Sequence, residues 1–530
     1  MKTLNELLDG AAADAARKPA LVTLDGEVTT FGDLRAEVLE VAAGLAKAGV
    51  KKADCVAIVH RNSPDFVIAY FALNRLGAIA VPINFMVQKA DELAYMLNDC
   101  KAIGIVTQKE FLKGIRGAVA KTPSIKSVWV SDARTAELKE KEAIFSILST
   151  LSDRSGNVDK ELQNAVVDET DVASILYTSG TTGNPKGVML THRNFITNAQ
   201  ASLKLMGLRR SDVGLCILPM FHSFAWTGNV LLCIMLRAKL VVSGNITPAK
   251  PWLTMMGKHG VSLFSAVPQV YSVLAKQCCG FQKLILKYWF FRRVRIAISG
   301  AAPLSPAVAD AFEAAFGLPI LEGFGLTETT PVVSINPPER PKRGSVGRPI
   351  DGVRVKIVDD DEKELPVGSE GEICVHGDCV MKGYFNLPDA TRQAFTKDGW
   401  FKTGDIGALD EDGFIYIRDR KKDMIIIKGL KVFSAQVEAV LLENPDVAEA
   451  AVIGVPDEHG DETIKAFIVL RPGAKADKSS LIKYCRDKFD PYKRPRDVEI
   501  IEQLPKNALQ KVLKRALRQR ELDKKTAGTT

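Results

Sequence analysis

Residues 174–191 read SILYTSGTTGNPKGVMLT, and the order of residue types in them lays out a strand, a loop, a second strand and the start of a helix. "SILY" is a short apolar run without glycine that leads straight into the loop. "KGVML" resumes as strand, and Thr191 is placed to cap the helix that follows. Between them, Thr178, Ser179, Thr181 and Thr182 supply hydroxyls, Gly180, Gly183 and Gly187 allow close backbone approach, and Lys186 supplies positive charge. Those are the parts from which a protein builds an anion cradle. The G-x-x-x-x-G-K-[ST] template does not fit, because Pro185 stands where its second glycine belongs and Gly187 follows the lysine. Taken alone, the loop is compatible both with a phosphate cradle of another design and with a plain polar turn.

Working outward, the same alternation continues on both sides. "LRAEVLEVAAGLAKAG" (34–49) has apolar residues at helical spacing and ends in glycine. "CVAIVH" (55–60) reads as strand, "FVIAYFALNRLG" (66–77) as helix and "AIAVPIN" (78–84) as strand. Downstream, "VSLFSAVP", a helix from about Gln269, "VRIAISG" and "AVADAFEAAFG" repeat the pattern. Strands alternating with helices predict an α/β fold with parallel or mixed sheets covered by helices. After about Pro337 the texture changes to short strands broken by Gly, Pro and Asp (344–377), which predicts an antiparallel β unit. A third texture follows "IRDRKKDMI": a helix from Ser434, strands "EAAVIGV" and "IKAFIVL", a helix from Ser479 and a basic tail. We therefore expect a large N-terminal domain over 1–420, its β-rich part over 338–420, and a small α+β domain over 421–530 hinged near Arg420–Asp423.

Composition bounds the function. The 530 residues are too many for one core. Hydrophobic residues at 46% and charged residues at 25% are those of a globular protein. The net charge of +8 favours anionic ligands. No basic run reads as interleaved with aromatics in the manner of a single-strand binder, so nucleic acid is not expected as a partner. The nine cysteines form no C-x-x-C pair and sit mostly in apolar contexts, which points to buried free thiols, a reducing compartment and no zinc site. "MKTLNELLDG" lacks the apolar core of a signal peptide, and "VLLCIML" (230–236) is far shorter than the ~20 residues that span a bilayer. The expectation is a cytoplasmic enzyme without a transmembrane segment, with peripheral membrane contact left open and either a monomer or a homodimer admissible.

Five further stretches carry candidate chemistry, each with a plainer structural reading beside it. In "EGFGLTETT" (322–330), Gly323 and Gly325 flank Phe324, whose ring can face a planar base. Thr327 can donate to a phosphate oxygen, and Glu328 is a hard oxygen ligand suited to Mg²⁺. A strand-to-turn junction with a solvated glutamate reads the same way. In "WFKTGDIG" (400–407), Asp405 can accept both hydroxyls of a ribose, or close an Asx turn. "RDRKKDMIIIKG" (418–429) puts charges, Arg420 and Lys422 among them, at the expected domain junction, though charge runs are mostly solvated faces. "LPKNALQKVLKR" (504–515) offers Lys506 and Lys511, either of which could neutralise charge in a cleft. His222, in "PMFHSFAWTGN" (219–229), reads as a satisfied core histidine or as part of a site.

The order and rough spacing of "YTSGTTGNPKGV", "EGFGLTET", "TGD", "DRKKDMI" with "KG", and "PK" with a later lysine resembles the adenylate-forming enzymes, which include acyl-CoA synthetases, luciferases and the adenylation domains of peptide synthetases. The likeness covers nearly the whole chain, and "SGAAPLSP" (299–306) with "GLTETTPVVSINP" (325–337) looks most like the fatty-acyl-CoA ligase branch. It implies ATP, Mg²⁺ and coenzyme A, a small carboxylic acid as substrate, and a mobile C-terminal domain. It implies that residues 178–186, with Thr178, Ser179, Gly180, Thr181, Thr182, Gly183 and Lys186, cradle the β- and γ-phosphates. It implies that Gly300, Ala301, Ala302 and Pro303 line the adenine site with Glu322, Gly323, Phe324 and Gly325. Thr327 would contact the α-phosphate, Glu328 would hold Mg²⁺, and Asp405 and Arg420 would grip the ribose. Lys422 matches the hinge, Lys428 and Gly429 the segment carried toward the thiol tunnel, Lys511 the lysine of the first half-reaction, and His222 the gate beside the acyl site. Three positions depart from the commoner family choices: Phe324 for tyrosine, Gln510 for glycine before the lysine, and Ser434 for proline. An aryl- or other carboxylate-CoA ligase is the nearest alternative, and a nucleotide-binding protein without catalysis is the alternative of another class.

Overall fold

The structure is a computed structural model, and it describes all residues except 133–144, 149–165, 179–183, 279, 428–429, 457–461, 507–510 and 528–530. The chain forms two compact units, one of Met1–Arg354 with Val375–Phe401 and one of Val355–Cys374 with Lys402–Thr530. The second unit thus includes 355–374 and 402–420, just under half of the β-rich part that a cut at residue 420 assigns to the N-terminal domain. One sheet accounts for this, since Arg354–Val358 and Gly371–His376 join Phe401–Leu409 and Ile415–Arg420 in it, and Lys421 adds ion pairs to Asp360 and Glu372.

In the first unit the described residues build a nine-stranded and an eight-stranded sheet. The strands Lys239–Val242, Val213–Cys216, Leu263–Ala266, Ile296–Ser299 and Ile320–Gly325 run parallel, and Val332–Ile335 returns antiparallel. Loops at the carboxyl ends of such strands are where α/β sheets bind ligands. Residues 300–305 and 326–331 stand at two of those ends. In the other sheet, Val172–Thr178 pairs antiparallel with Lys186–Thr191, and Gly383–Tyr384 adds at the edge with Tyr384 opposite Val188. Thr191 caps the helix His192–Met206 through a capping box with Asn194, and Gly207 ends that helix at φ 55°. Pro64 in the first turn and the Ser63 cap start the helix Pro64–Arg75, which is buried from Phe66 to Asn74.

In the second unit a four-stranded sheet contains the antiparallel pair Phe401–Leu409 and Ile415–Arg420. Val447–Pro456, Glu462–Leu470 and Asp497–Ile500 form a three-stranded sheet. One face of it buries Val452, Ile464, Ala466 and Ile468 with Val437, Leu441 and Leu481 of two helices. The other buries Ala451, Ile453 and Phe467 with Leu504 and Leu517. Lys465, buried, holds Asp497, Glu499 and Glu521 in one ion-pair network, which ties the helix Lys514–Ala527 to the sheet. Ser434, where proline is the commoner family choice, donates its hydroxyl to Asp419 Oδ2 at 2.8 Å and accepts from Lys514 Nζ at 2.7 Å. All eight described cysteines are buried, and among the described residues no helix is long and apolar enough to cross a membrane.

Candidate active site

The first unit assembles one group of candidate residues around the opening hairpin. Thr178, half-buried, ends one strand and stands opposite Lys186 on the other. Ser179, Gly180, Thr181, Thr182 and Gly183 lie outside the described residues. On the strand before them, the Tyr177 hydroxyl donates to Asp99 Oδ2 at 2.6 Å and to the Met96 carbonyl at 3.1 Å. Lys186 Nζ stands 4.9 Å from the centre of the Tyr384 ring. The Tyr384 hydroxyl donates to Glu328 Oε1 at 2.9 Å, and the Met381 amide donates to the Glu328 carbonyl at 2.8 Å. Lys186 and Glu328 therefore share one neighbour, a tyrosine that sequence reasoning missed. Burial, with the Glu328 charge beside it, pushes the Tyr384 phenol far up, so it stays a donor.

Glu328 and Thr327 project from the turn Thr327–Thr329, which is pinned on both sides. Thr329 Oγ1 donates to the Pro331 carbonyl at 2.6 Å, Thr330 Oγ1 to the Cys379 carbonyl at 2.7 Å, and Thr227 Oγ1 to the Thr330 carbonyl at 3.0 Å. A rigid turn suits a ligand-holding carboxylate. Among the described residues no group of three or more His, Cys, Asp or Glu could hold a metal by itself. A single carboxylate fits Mg²⁺, which keeps waters and takes its remaining oxygens from substrate phosphates.

The expected adenine-site residues also come together. Ser299 pairs with Glu322 across the parallel strands, so residues 300–303 leave the sheet beside 322–325. Ala301 adopts a left-handed φ of 69°, an unusual conformation for a residue with a side chain. Ala302 is half-buried, Pro303 is exposed, and Phe324 is half-buried. Gly325 is glycine because its strand lies against the chain ahead of it: a Cβ there would stand 1.8 Å from the Pro331 carbonyl oxygen. Glu322 is pushed up to about 7 by burial, a rise that a hydrogen bond from the Leu304 backbone moderates. Phe224 packs 3.3 Å from where a Cβ would stand on Gly300, and its amide donates to His222 Nδ1 at 3.2 Å. His222 thus caps the turn Ser223–Ala225 next to the expected adenine loop. That bond places the proton of the neutral ring on Nε2.

The second unit assembles the other group. Antiparallel register sets Asp405 opposite Arg420, and Arg420 Nε stands 3.2 Å from Asp405 Oδ1. Asp405 Oδ2 is buried and has no hydrogen-bond partner among the described residues. A buried, unanswered carboxylate oxygen is costly unless a ligand supplies donors, and ribose hydroxyls are donors. Burial pushes the Asp405 carboxyl up, against the pull of Arg420, Lys511 and Lys422. Lys511, half-buried in the same cluster, is lowered to about 8. Burial is the first cause, then the Arg420 charge, with Lys422 adding to it and Asp405 and Asp423 opposing it. Lys506 takes a different part, an ion pair with Glu449 at 2.7 Å. The structure thus separates the two lysines that the sequence leaves equal. Lys422 is exposed, Asp423 pairs with Arg518 at 2.9 Å, and Lys428 and Gly429 lie outside the described residues.

Residues 8–385 match the family model of the AMP-binding enzyme, and residues 436–511 that of the AMP-binding enzyme C-terminal domain. The chain is 35% identical to a long-chain-fatty-acid–CoA ligase of Salmonella typhimurium, covering 98% of this chain and 94% of that one. It is 34% identical to 4-coumarate–CoA ligase 5 of Oryza sativa, covering 93% and 89%. Its fold is similar to that of ATP-bound MatB from Rhodopseudomonas palustris, with a TM-score of 0.85 and 29% identity over 97% of this chain and 98% of that one. With both parts matched and full-length relatives above 30% identity, the chain belongs to the AMP-binding enzyme family.

Proposed function

We propose that this chain is an ATP-dependent, AMP-forming acyl-CoA ligase acting on a fatty acid. The observation that carries the reading is the cluster of Lys511, Arg420 and the half-satisfied Asp405 on one unit, a place for a ribose beside a titratable ammonium. In the first half-reaction the substrate carboxylate attacks the α-phosphorus of ATP and pyrophosphate leaves, giving acyl-AMP. Phosphoryl and nucleotidyl transfers ask the protein for positioning and charge neutralisation rather than covalent help. Asp405 and Arg420 hold the ribose, Lys511 places its ammonium at the developing charge, and Thr327 donates to the α-phosphate. Residues 178–186, Lys186 among them, grip the β- and γ-phosphates that depart. Glu328, held by Tyr384, would hold Mg²⁺, which supplies neutralising charge on the phosphate oxygens. In the second half-reaction the CoA thiol attacks the acyl carbonyl, AMP leaves, and the thiol proton is released. We propose that residues from Lys422 onward turn between the two steps, withdrawing Lys511 and bringing 428–429 forward. The enzyme then works in the cytoplasm, as a monomer or a homodimer.

Both relatives at about one-third identity bear on the acid: one is named for a long-chain fatty acid and the other for 4-coumarate. An aryl-CoA ligase is therefore the second reading. Replacing Lys511 with Ala tests the assignment. It should abolish acyl-AMP formation and largely spare thioester formation from supplied acyl-AMP. Equal losses in the two assays would remove Lys511 from the adenylation step.

A further inference from the structure

Residues 268–278 and 280–295 belong to the first unit, where the helix Pro268–Gln277 packs on the helix Pro306–Phe316. Between 276 and 293 they carry Lys276, Lys283, Lys287, Arg292 and Arg293 and no acidic residue. Against the expectation of no basic run interleaved with aromatics, "KLILKYWFFRR" (283–293) does interleave them. It folds as the helix Gly280–Ile285, continued by a wider turn over Leu286–Phe290. Its inner side is anchored: Leu286 and Phe291 are buried, and the Phe291 ring meets Phe264, Phe312 and Phe316 at 5.4, 6.0 and 4.5 Å. Its outer side is apolar. Tyr288 is 64% exposed, Leu284 52%, Trp289 50% and Ile285 41%. Positions 284, 285, 288 and 289 fall on one face at helical spacing. Val273, 50% exposed on the preceding helix Pro268–Gln277, is a fifth large apolar residue within this short length.

The surroundings keep the charge positive. The packed helix Lys250–His259 carries Lys250 and Lys258 and no acid. The acids of the helix Pro306–Phe316, Asp310 and Glu313, pair with Arg343. Arg292 stands 4.9 Å from the Trp289 ring and Lys287 5.8 Å from the Tyr288 ring, so cations collar the aromatics. Trp289 also rests on the backbone of Gly257, where a Cβ would stand 2.7 Å from its Nε1. The patch is thus a built surface rather than a loose strand of chain.

We propose that this face docks on an anionic lipid bilayer, with Leu284, Ile285, Tyr288 and Trp289 entering the headgroup boundary and the five cations answering lipid phosphates. Tryptophan and tyrosine favour that boundary, and an apolar face with a basic rim is the pattern of an interfacial helix. A single-stranded nucleic acid is a poorer match, because Leu284, Ile285 and Val273 offer no ring for a base to stack on. A second copy is a poorer match too, because a two-fold contact would set five cations against five. Given the fatty-acid reading above, on which this part alone rests, docking brings the enzyme to where its water-insoluble substrate resides.

Co-sedimentation of the full chain with vesicles tests the docking directly. Vesicles of phosphatidylcholine mixed with phosphatidylglycerol should retain the protein, pure phosphatidylcholine should not, and high salt should release it. Lys283→Gln with Lys287→Gln should weaken partitioning about 25-fold, about fivefold per cation. Leu284→Ser with Tyr288→Ser should weaken it at least as much, and unchanged melting temperatures show that both variants fold. Failure of the unaltered protein to bind the anionic vesicles, or variants that bind as it does, overturns the proposal. So does tighter binding of a single-stranded oligonucleotide, or a lipid-free dimer that the Leu284/Tyr288 variant splits. Vesicle binding requires no ligase activity, so loss of the fatty-acid reading leaves this readout intact, and activity without vesicle binding removes only the dock.

Discussion

Raising the pH from 7 to 9 should slow the first half-reaction about tenfold through Lys511 alone. The perturbation acts on an ammonium whose pKa is lowered to about 8, against 10.5 for an ordinary lysine. With a pKa of about 8 the charged and neutral forms stand near 10:1 at pH 7 and near 1:10 at pH 9. Only the charged form neutralises charge at the reacting phosphorus. The quantity to follow is kcat/KM for ATP in carboxylate-dependent pyrophosphate release, at fixed ionic strength, because it reports groups of the free enzyme. Lys511→Arg should erase the descending limb, since guanidinium stays charged throughout this range. Arg420→Leu should move the limb to higher pH, because Arg420 is the largest neighbouring charge that disfavours the ammonium. The linkage to stability has the opposite sense. The folded chain holds fewer protons than the unfolded chain between about pH 8 and 10.5, so this lysine makes the fold more stable as pH rises through that window. A flat rate profile from pH 7 to 9, or the same limb in Lys511→Arg, would refute the reasoning.

Tyr384→Phe keeps the ring near Lys186 but removes the donor to Glu328, and the Mg²⁺ concentration for half-maximal activity should rise about tenfold or more. A magnesium titration of pyrophosphate release reads this. Asp405→Asn removes the charge of a buried carboxylate with one unanswered oxygen, so KM for ATP should rise about 10- to 100-fold while the melting temperature holds or rises. Glu322→Gln should stabilise the fold above pH 7, by about 3 kcal/mol at most. Glu322 has its folded pKa raised from 4.5 to about 7, so its burial costs nothing below pH 4.5 and its full amount above 7. Urea midpoints at pH 5 and pH 8 distinguish the two cases.

The α/β core was legible because strand and helix leave different periods in the sequence. Thr191 as a helix cap, Ser434 as a helix start and the strand on either side of the opening loop are all where local chemistry puts them. What sequence could not carry is proximity between distant segments. Tyr384 joins Lys186 and Glu328 only because residues 383–384 add to the edge of a strand that lies far away in the chain. No charge or motif flagged it, and its signal was only the pair "GY" in "MKGYFN". Lys506 and Lys511 look alike in sequence, and only the fold sets Lys506 against Glu449 and buries Lys511 beside the charges of Arg420 and Asp405. Gly325 looked like a way to present Phe324, and its tight contact is with the Pro331 carbonyl. The solvent face of 284–289 escaped because burial, not hydropathy, separates an exposed apolar stripe from a buried one.

The most direct test of the assigned chemistry is the nucleotide product made when the purified chain meets ATP, Mg²⁺, CoA and a panel of carboxylic acids. An acyl-CoA ligase of this family releases one AMP and one pyrophosphate per thioester, only when an acid is present. A preference for long aliphatic acids supports the fatty-acid reading, and a preference for cinnamic-type acids moves the substrate to the aryl class. Formation of ADP and phosphate, or AMP released without any dependence on a carboxylate, would contradict the assignment.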